Sequence, residues 1–275
     1  MPIAPSDAPG APGVPSSPGP WEVLVVGAGP AGLAAAVEAG RAGRSVALLD
    51  AGPRPGGQYW RHREGDRGQG HGDWVRFERL RAELRALEAA GHLRHLPEHA
   101  VWHLERIGDG SFIAHVAHAE RDLEVRGRTV VLATGAHDRA LPFPGWTLPG
   151  VFTAGAAQAL LKGQGVLVGR RIVVAGTGPF LLPVAAGLAE AGAEVVEVLE
   201  AGRPIAAAAR RPLVLARNAG KLLEAAAYLA TLARHRVPYR TRRAVIAAHG
   251  AADVTGVTIA ALDADWRVVA GDPTL

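Results

Sequence analysis

The chain has 275 residues, of which 48% are hydrophobic and 20% charged, values typical of a globular protein with about two domains. It contains no cysteine, which excludes disulfides, a thiol nucleophile and thiolate-bound zinc or iron–sulfur clusters. The net charge is only +4, and the basic residues, nearly all arginines, are scattered among 26 acidic ones, so no continuous basic face for nucleic acid is predicted.

Two further features bear on the location of the protein. The longest apolar stretch, residues 23–37, is interrupted by glycines and a proline, whereas a membrane helix needs about 18 uninterrupted apolar residues. Residues 1–20 contain seven prolines and no hydrophobic block typical of a signal peptide, and we expect them to form a disordered tail. The sequence therefore predicts a cytoplasmic protein without a membrane segment.

From Trp21 onwards the chain reads as strand, turn, helix and strand. An apolar run at 23–26 meets GAGPAG, an alanine-rich stretch follows, and a second apolar run ends at Asp50. This order predicts a βαβ unit. Apolar residues then recur at helical spacing from Phe77 to Leu87.

Three short strands are predicted next, near residues 100–104, 111–117 and 122–126, and Gly127 is expected to mark a turn after them. The continuously apolar run at 129–132, which ends in Ala-Thr-Gly, is typical of a buried central strand.

A second βαβ unit is predicted from Arg171 to Glu200, followed by a helix near 221–234 and strands near 245–248 and 254–262. Its GTGPFL segment corresponds to GAGPAG, so the two units form an internal repeat. Such a repeat predicts two nucleotide sites.

The physical requirements of pyrophosphate binding explain each glycine of the first motif. A pyrophosphate binds unpaired N–H groups at the positive end of a helix. Gly27 allows the sharp turn, Gly29 lets the backbone approach the phosphates, and Gly32 lets the helix lie close to the sheet. Asp50, about 20 residues further on, can accept both ribose hydroxyls and repels a 2′-phosphate. The alternative, a glycine-rich turn without a ligand, does not explain this acid.

The second motif departs from the pattern. Gly176, Gly178, Pro179 and Glu200 match, but Leu181 replaces the third glycine. A leucine between helix and strand costs about 1–3 kcal/mol unless the helix moves outward. The site is predicted either to bind a nucleotide or to be a structural duplicate. The histidines near residues 92–103 lack a completing acid or cysteine, and no metal site and no catalytic residue are predicted.

The two motifs, PGGQ at 55–58 and the ATG strand end resemble the two-dinucleotide-fold flavoproteins, of which thioredoxin reductase is a member. Three longer segments resemble the A-type subunit of opine oxidase, the B-type subunit of hydrogen cyanide synthase and the alpha chain of sarcosine oxidase. These segments are GGQYWR at 56–61, PGWTLPGVFTAGAAQALLK at 144–162 and RNAGKLLEAAAYL at 217–229.

The resemblance implies an α/β fold of two Rossmann-like units. Residues 21–152 would form an FAD-binding domain, and residues 153–275 a second, NAD-type domain with a connecting helix. Members of the group return to complete the FAD domain, whereas this sequence stops at Leu275. The likeness therefore implies a C-terminally truncated chain or one that another polypeptide completes.

The resemblance also implies site residues. The FAD pyrophosphate would lie on Gly27, Gly29, Pro30, Ala31 and Gly32. The rest of FAD would meet Asp50 at the ribose, Gly57 and Gln58 near the flavin, Val101 at the adenine, and Thr134 and Gly135 over the pyrophosphate or flavin. NAD or another adenine nucleotide would lie on Gly176, Gly178, Pro179 and Glu200.

The function implied by the group is that of an FAD-dependent oxidoreductase. The chain would be the flavin or electron-relay subunit of an opine- or sarcosine-like oxidase or dehydrogenase that acts on CH–NH donors, together with an FAD-containing oxidase partner. Two alternatives stay open: a stand-alone NADH-dependent flavin reductase, and a truncated nucleotide-binding module without catalytic activity.

Overall fold

A computed structural model describes residues 20–68, 71–204 and 217–274. These residues divide into two compact units: 20–61 with 71–135, and 62–68 with the described residues from 136 onwards. The tail predicted for residues 1–20 lies outside the described residues except for Pro20. No helix in the described ranges is long and apolar enough to cross a lipid bilayer.

The described part of the first unit is a six-stranded sheet with two helices. Its elements are β1 (Trp21–Val26), α1 (Pro30–Arg41), β2 (Val46–Leu49), α2 (Trp74–Ala89), β3 (Leu93–Leu96), β4 (Ala100–Arg106), β5 (Phe112–His118) and β6 (Arg121–Leu132). The strand order is β3-β2-β1-β6-β5-β4. The first four strands in this order are parallel, and β6, β5 and β4 are antiparallel. The predicted first βαβ unit is confirmed.

Strand β1 is buried on both faces, as expected for a central parallel strand. Val25 packs with Leu33 of α1 and Phe77 of α2 on one face. Leu24 packs with Ala114 and other residues of the antiparallel strands on the opposite face. The core thus fixes the carboxyl end of β1, from which the first glycine motif emerges.

The turn predicted at Gly127 is wrong. Gly127 lies inside β6, where it is paired with Trp21 of β1 and Phe112 of β5. A methyl group on Gly127 would lie 2.3 Å from Cγ of Leu24. The glycine is thus explained by close packing against β1, and the strands predicted before and after it are one continuous strand.

In its described residues, the second unit has two three-stranded sheets and the helices named below. Its elements are α3 (Ala154–Gln164), β7 (Arg171–Gly176), α4 (Leu181–Glu190), β8 (Glu194–Glu200), α5 (Ala219–Arg234), β9 (Tyr239–Thr241), β10 (Arg243–His249), β11 (Gly256–Leu262) and β12 (Val268–Thr274). Strands β7, β8 and β9 are parallel, and β10, β11 and β12 are antiparallel. Helix α4 supplies much of the core, with Leu181, Val184 and Leu188 packed against Val174 and Val198 of the parallel sheet.

Residues 136–153 belong to the second unit, so the compact units divide after Gly135. This division is earlier than the domain boundary predicted after residue 152. One reason is a backbone hydrogen bond of 2.8 Å from the N–H of Ala248, in β10, to the carbonyl oxygen of Pro144.

We expect Gly127→Ala to lower the free energy of unfolding by about 1–3 kcal/mol, because the new methyl group meets the fully buried Leu24. Gly108→Ala is the matched control, since nothing lies within 4 Å of a methyl group there. Chemical denaturation of both variants measures the difference. Equal midpoints for the two variants would contradict the packing explanation.

Candidate functional site

The first glycine motif forms a tight turn in which neighbouring backbone atoms occupy the places where side chains would otherwise lie. Gly27 has a φ of 101°, and its N–H donates to the carbonyl oxygen of Leu49 at 2.7 Å. A methyl group on Gly27 would lie 2.4 Å from the carbonyl oxygen of Ala133, and one on Gly32 would lie 1.7 Å from that of Gly27. The end of β1, the start of α1 and the residue after β6 are therefore in direct contact.

Helix α1 presents unpaired donors at its amino end. It begins at Pro30, which has no N–H, after Gly29, which makes no side-chain cap. Within the part of the chain that the structure describes, the N–H groups of Ala31 and Gly32 have no acceptor. The first turn contains no acidic residue. Two free N–H groups at the positive end of a helix dipole fit a pyrophosphate.

The PGGQ segment lies against this motif. The N–H of Gly56 donates to the carbonyl oxygen of Ala28 at 2.7 Å. Gly57 has a φ of 57°, and a methyl group on it would lie 2.8 Å from Cα of Gly29. Gln58 is exposed in the same turn. The structure therefore brings together two segments that the sequence assigned to one cofactor.

Asp50 follows β2 beside the first motif and is half-buried. Its Oδ1 accepts a hydrogen bond of 3.3 Å from the N–H of Gly52. Burial raises the pKa of the Asp50 carboxyl, and the N–H of Gly52 and the charge of His95 partly offset this rise. The carboxylate oxygens have lone pairs left for sugar hydroxyls.

The other predicted residues of the first site lie just after β6 and on β4. The backbone of Thr134 is close to Gly27, since a methyl group there would lie 3.4 Å from Cα of Thr134. Gly135, with a φ of 76°, follows it, and both residues are exposed. Val101 lies on β4 opposite Val116.

The second motif uses its acid differently. Glu200 is 1% exposed, and its carboxylate accepts hydrogen bonds from Thr177 Oγ1 at 2.9 Å, the N–H of Gly178 at 2.9 Å and the N–H of Gly202 at 2.8 Å. The N–H groups of Gly178 and Gly202 are therefore already paired within the protein. Thr177, between the two glycines, was missed by sequence reasoning, although a hydroxyl next to the loop glycines is a readable signal.

The helix after the second motif starts later. Helix α1 begins at Pro30, whereas α4 begins at Leu181, two residues after the corresponding Pro179. The N–H of Leu181 turns back to the carbonyl oxygen of Gly178 at 3.3 Å. Leu181 is only 4% exposed, so the helix start has shifted and the leucine has joined the core.

In the described ranges, no group of three or more histidine, aspartate or glutamate residues is arranged to hold a metal ion.

The sequence profile of the pyridine nucleotide-disulphide oxidoreductase family matches residues 21–271. The chain is 42% identical to the A-type subunit of opine oxidase from Agrobacterium tumefaciens over 188 residues, 66% of this chain and 37% of that protein. It is 37% identical to the HcnB subunit of hydrogen cyanide synthase from Pseudomonas aeruginosa over 252 residues, 89% of this chain and 52% of that protein. It is 40% identical to the alpha subunit of sarcosine oxidase from a Corynebacterium species over 203 residues, 68% of this chain and 20% of that protein.

These matches confirm the resemblance that the sequence motifs indicated. The chain spans about half the length of the hydrogen cyanide synthase protein and a smaller part of the other two relatives. The solved thioredoxin reductase of Lactococcus lactis has the same fold, with a TM-score of 0.59 and 18% identity over 92% of this chain and 75% of that one.

We expect Glu200→Gln to lower the free energy of unfolding by about 1–3 kcal/mol, because the new amide group cannot satisfy all three donors that the carboxylate satisfies. Glu194→Gln on the same strand is the control, since the Glu194 side chain is 64% exposed. Thermal and chemical denaturation compare the two. If Glu200→Gln is as stable as Glu194→Gln, the three hydrogen bonds are not structural.

Proposed function

Because the chain belongs to the pyridine nucleotide-disulphide oxidoreductase family, whose cofactors are FAD and NAD(P), we propose that its first unit binds FAD and relays electrons within an amino-acid-oxidising complex. The observation that carries the proposal is the pair of unpaired N–H groups of Ala31 and Gly32 beside the carboxylate of Asp50. Donors for a diphosphate and an acceptor for a sugar lie together at the carboxyl ends of the parallel strands β1 and β2, where such folds bind dinucleotides.

The roles of the chain's own residues follow from their chemistry. The N–H groups of Ala31 and Gly32, with the dipole of α1, would bind the pyrophosphate. Gly27 and Gly29 keep that space free of side chains, and Pro30 begins the helix. Asp50 would orient the ribose. Flavin, when bound, supplies the one- or two-electron chemistry, while the protein supplies binding, orientation and electrostatics.

The remaining residues complete the proposed site. Gly57 and Gln58 would lie toward the ribityl and flavin side, because Gly57 contacts the backbone of Gly29. Thr134 and Gly135 would cover the pyrophosphate or flavin, and the backbone of Val101 would face the adenine.

The amino-acid-oxidising role rests on the relatives. Two of them are named as oxidase subunits and one as a synthase subunit. We assign to this chain the electron-relay part of such a complex, with a CH–NH donor oxidised on an FAD-containing partner subunit.

A second candidate is a stand-alone NADH-dependent flavin reductase. It is favoured by the second glycine motif, in which Glu200 is held at the end of β8 and could accept a ribose hydroxyl of NAD. Two observations argue against this candidate. Helix α4 starts later than α1 does, and the N–H of Gly178 is already paired with Glu200.

We expect the full chain to bind FAD and co-elute with it, and Asp50→Asn to weaken binding by about 10- to 100-fold through loss of a charged acceptor. Fluorescence titration with FAD measures the affinity, and Asp122→Asn on β6 is the control. Absence of FAD binding by the unaltered chain would overturn the proposed function.

The same interaction predicts a pH dependence. In the free protein the Asp50 pKa is raised above 3.8, and ribose hydroxyls that donate to the carboxylate lower it again. Binding therefore releases a proton, and FAD affinity should fall as the pH drops through the raised pKa, by at most about tenfold per pH unit. Asp50→Asn should show a flat profile over the range in which both proteins remain folded. An unchanged slope in the variant would assign the titration to another group.

NADH separates the two candidate functions. As an electron-relay subunit, the purified FAD-loaded chain should keep its flavin absorbance when NADH is added anaerobically. Rapid bleaching would favour the reductase, and we then expect Glu200→Gln to slow it. Dithionite, which reduces flavin directly, is the control for accessible flavin.

A further inference from the structure

A histidine near the first site carries a buried atom without a partner. His99 is 5% exposed, and its Nε2 has no hydrogen-bond partner in the described part of the chain. Buried side-chain polar atoms in folded proteins nearly always have a partner, either protein or an ordered molecule. The Nε2 atom of His99 therefore needs a partner that the described protein residues do not supply.

The contacts of the His99 ring define which kind of hydrogen-bond partner Nε2 requires. Nδ1 of His99 lies 2.6 Å from the carbonyl oxygen of Pro97, which can only accept, so Nδ1 carries the proton. In the neutral ring Nε2 is then an acceptor and needs a donor. The ring is stacked on His118 with centroids 4.1 Å apart, and His118 Nδ1 lies 3.0 Å from the carbonyl oxygen of Glu98. Its orientation is thus fixed from two sides.

His99 lies at the adenosine end of the proposed FAD site. Its N–H donates to the carbonyl oxygen of Asp50 at 2.8 Å, and the N–H of Glu98 donates to that of Gly52 at 3.1 Å. These bonds attach the segment after β3 to the end of β2, beside the carboxylate proposed to hold the ribose. Val101, whose backbone is proposed to face the adenine, is two residues further on.

We propose that His99 selects adenine at this site, with its Nε2 accepting a hydrogen bond from the exocyclic 6-amino group of the base. The proposal rests on the proposed function, since it requires an adenine nucleotide in the first unit. Adenine offers an N–H donor at position 6, whereas hypoxanthine and guanine carry an oxygen there. Two acceptors would then face each other, and the site would reject 6-oxopurines.

His95 is the nearest competitor for this role. Its Nε2 is also buried without a partner in the described residues, and it interacts electrostatically with both Asp50 and His99. Burial lowers the pKa of His95 from its ordinary value, and the charge of Asp50 partly offsets this shift. The contacts described for its ring atoms do not fix the tautomer, unlike those of His99. The two histidines are therefore tested side by side.

The test compares ADP with inosine 5′-diphosphate, which differs in carrying oxygen in place of the 6-amino group. Isothermal titration of the full chain should give about tenfold tighter binding of ADP, the scale of one hydrogen bond and one unsatisfied buried acceptor. The ratio of the affinities for ADP and inosine 5′-diphosphate is measured within each variant. A partial loss of folded protein therefore affects the binding of both nucleotides equally.

Three substitutions of His99 separate recognition from structure. His99→Asn keeps a donor for Pro97 but lacks Nε2, and His99→Phe keeps the stack on His118 and removes both nitrogens. Either should reduce the ADP preference to about threefold or less. His99→Gln restores an acceptor near the original position and should recover most of the preference. His92→Asn, at an exposed histidine just before β3, is the matched control.

The outcomes distinguish this proposal from the proposed function. If FAD and ADP bind but the ratio is unchanged in whichever of the Asn and Phe variants folds, His99 does not read the base. A ratio that changes only in His95→Asn assigns the role to His95 and overturns the proposal. If the unaltered chain binds neither FAD nor ADP, the proposed function fails together with this inference.

Discussion

The contact between backbone atoms at the end of β1 is the constraint on which the first unit depends. Gly27, Gly32 and Ala133 meet at distances that leave no room for a single additional carbon atom. The close fit places the start of α1 directly over the carboxyl edge of the sheet, so that its free N–H groups and Asp50 share one small region. The FAD binding proposed for the chain depends on this arrangement more than on any reactive side chain.

The two units show how one motif can be used in two ways. In the first, the donors at the helix start remain unpaired and the acid after the second strand accepts a long hydrogen bond from Gly52. In the second, Glu200 is buried and binds the loop itself, and the helix begins later. Leu181 adds a core residue at the position where Gly32 in the first unit lets the helix lie against the end of the strand. Sequence correspondence alone does not reveal this difference in hydrogen bonding.

Local patterns in the sequence predicted much of the fold. Both βαβ units, α2 and α5 follow from apolar periodicity and glycine placement, which need no knowledge of the tertiary structure. Strands β3 and β9 were not predicted because they are short, and Tyr239–Thr241 is recognisable only by its pairing with β8. Helix α3 was missed as well. Gly127 was misread because a glycine required by a neighbouring leucine looks the same in sequence as one required by a turn.

Some residues of the candidate site could likewise be predicted from the sequence, and others could not. Spacing predicts the glycines and Asp50, since motif and acid are separated by one helix and one strand. The hydrogen bond from Thr177 to Glu200 and the unpartnered nitrogen of His99 depend on residues brought together by folding. The hydroxyl beside the loop glycines is readable in the sequence, but its partner is not.

The contact of Gly57 with Gly29 has an evolutionary consequence. The two positions are far apart in sequence, yet a side chain at Gly57 would push away the backbone around Gly29. The constraint acts in one direction, because a methyl group on Gly29 would lie 3.8 Å from Cα of Gly57, an ordinary van der Waals distance. Genetic drift at Gly57 is therefore held back by the loop around Gly29, and a homologue that has lost Gly57 should have remodelled both loops.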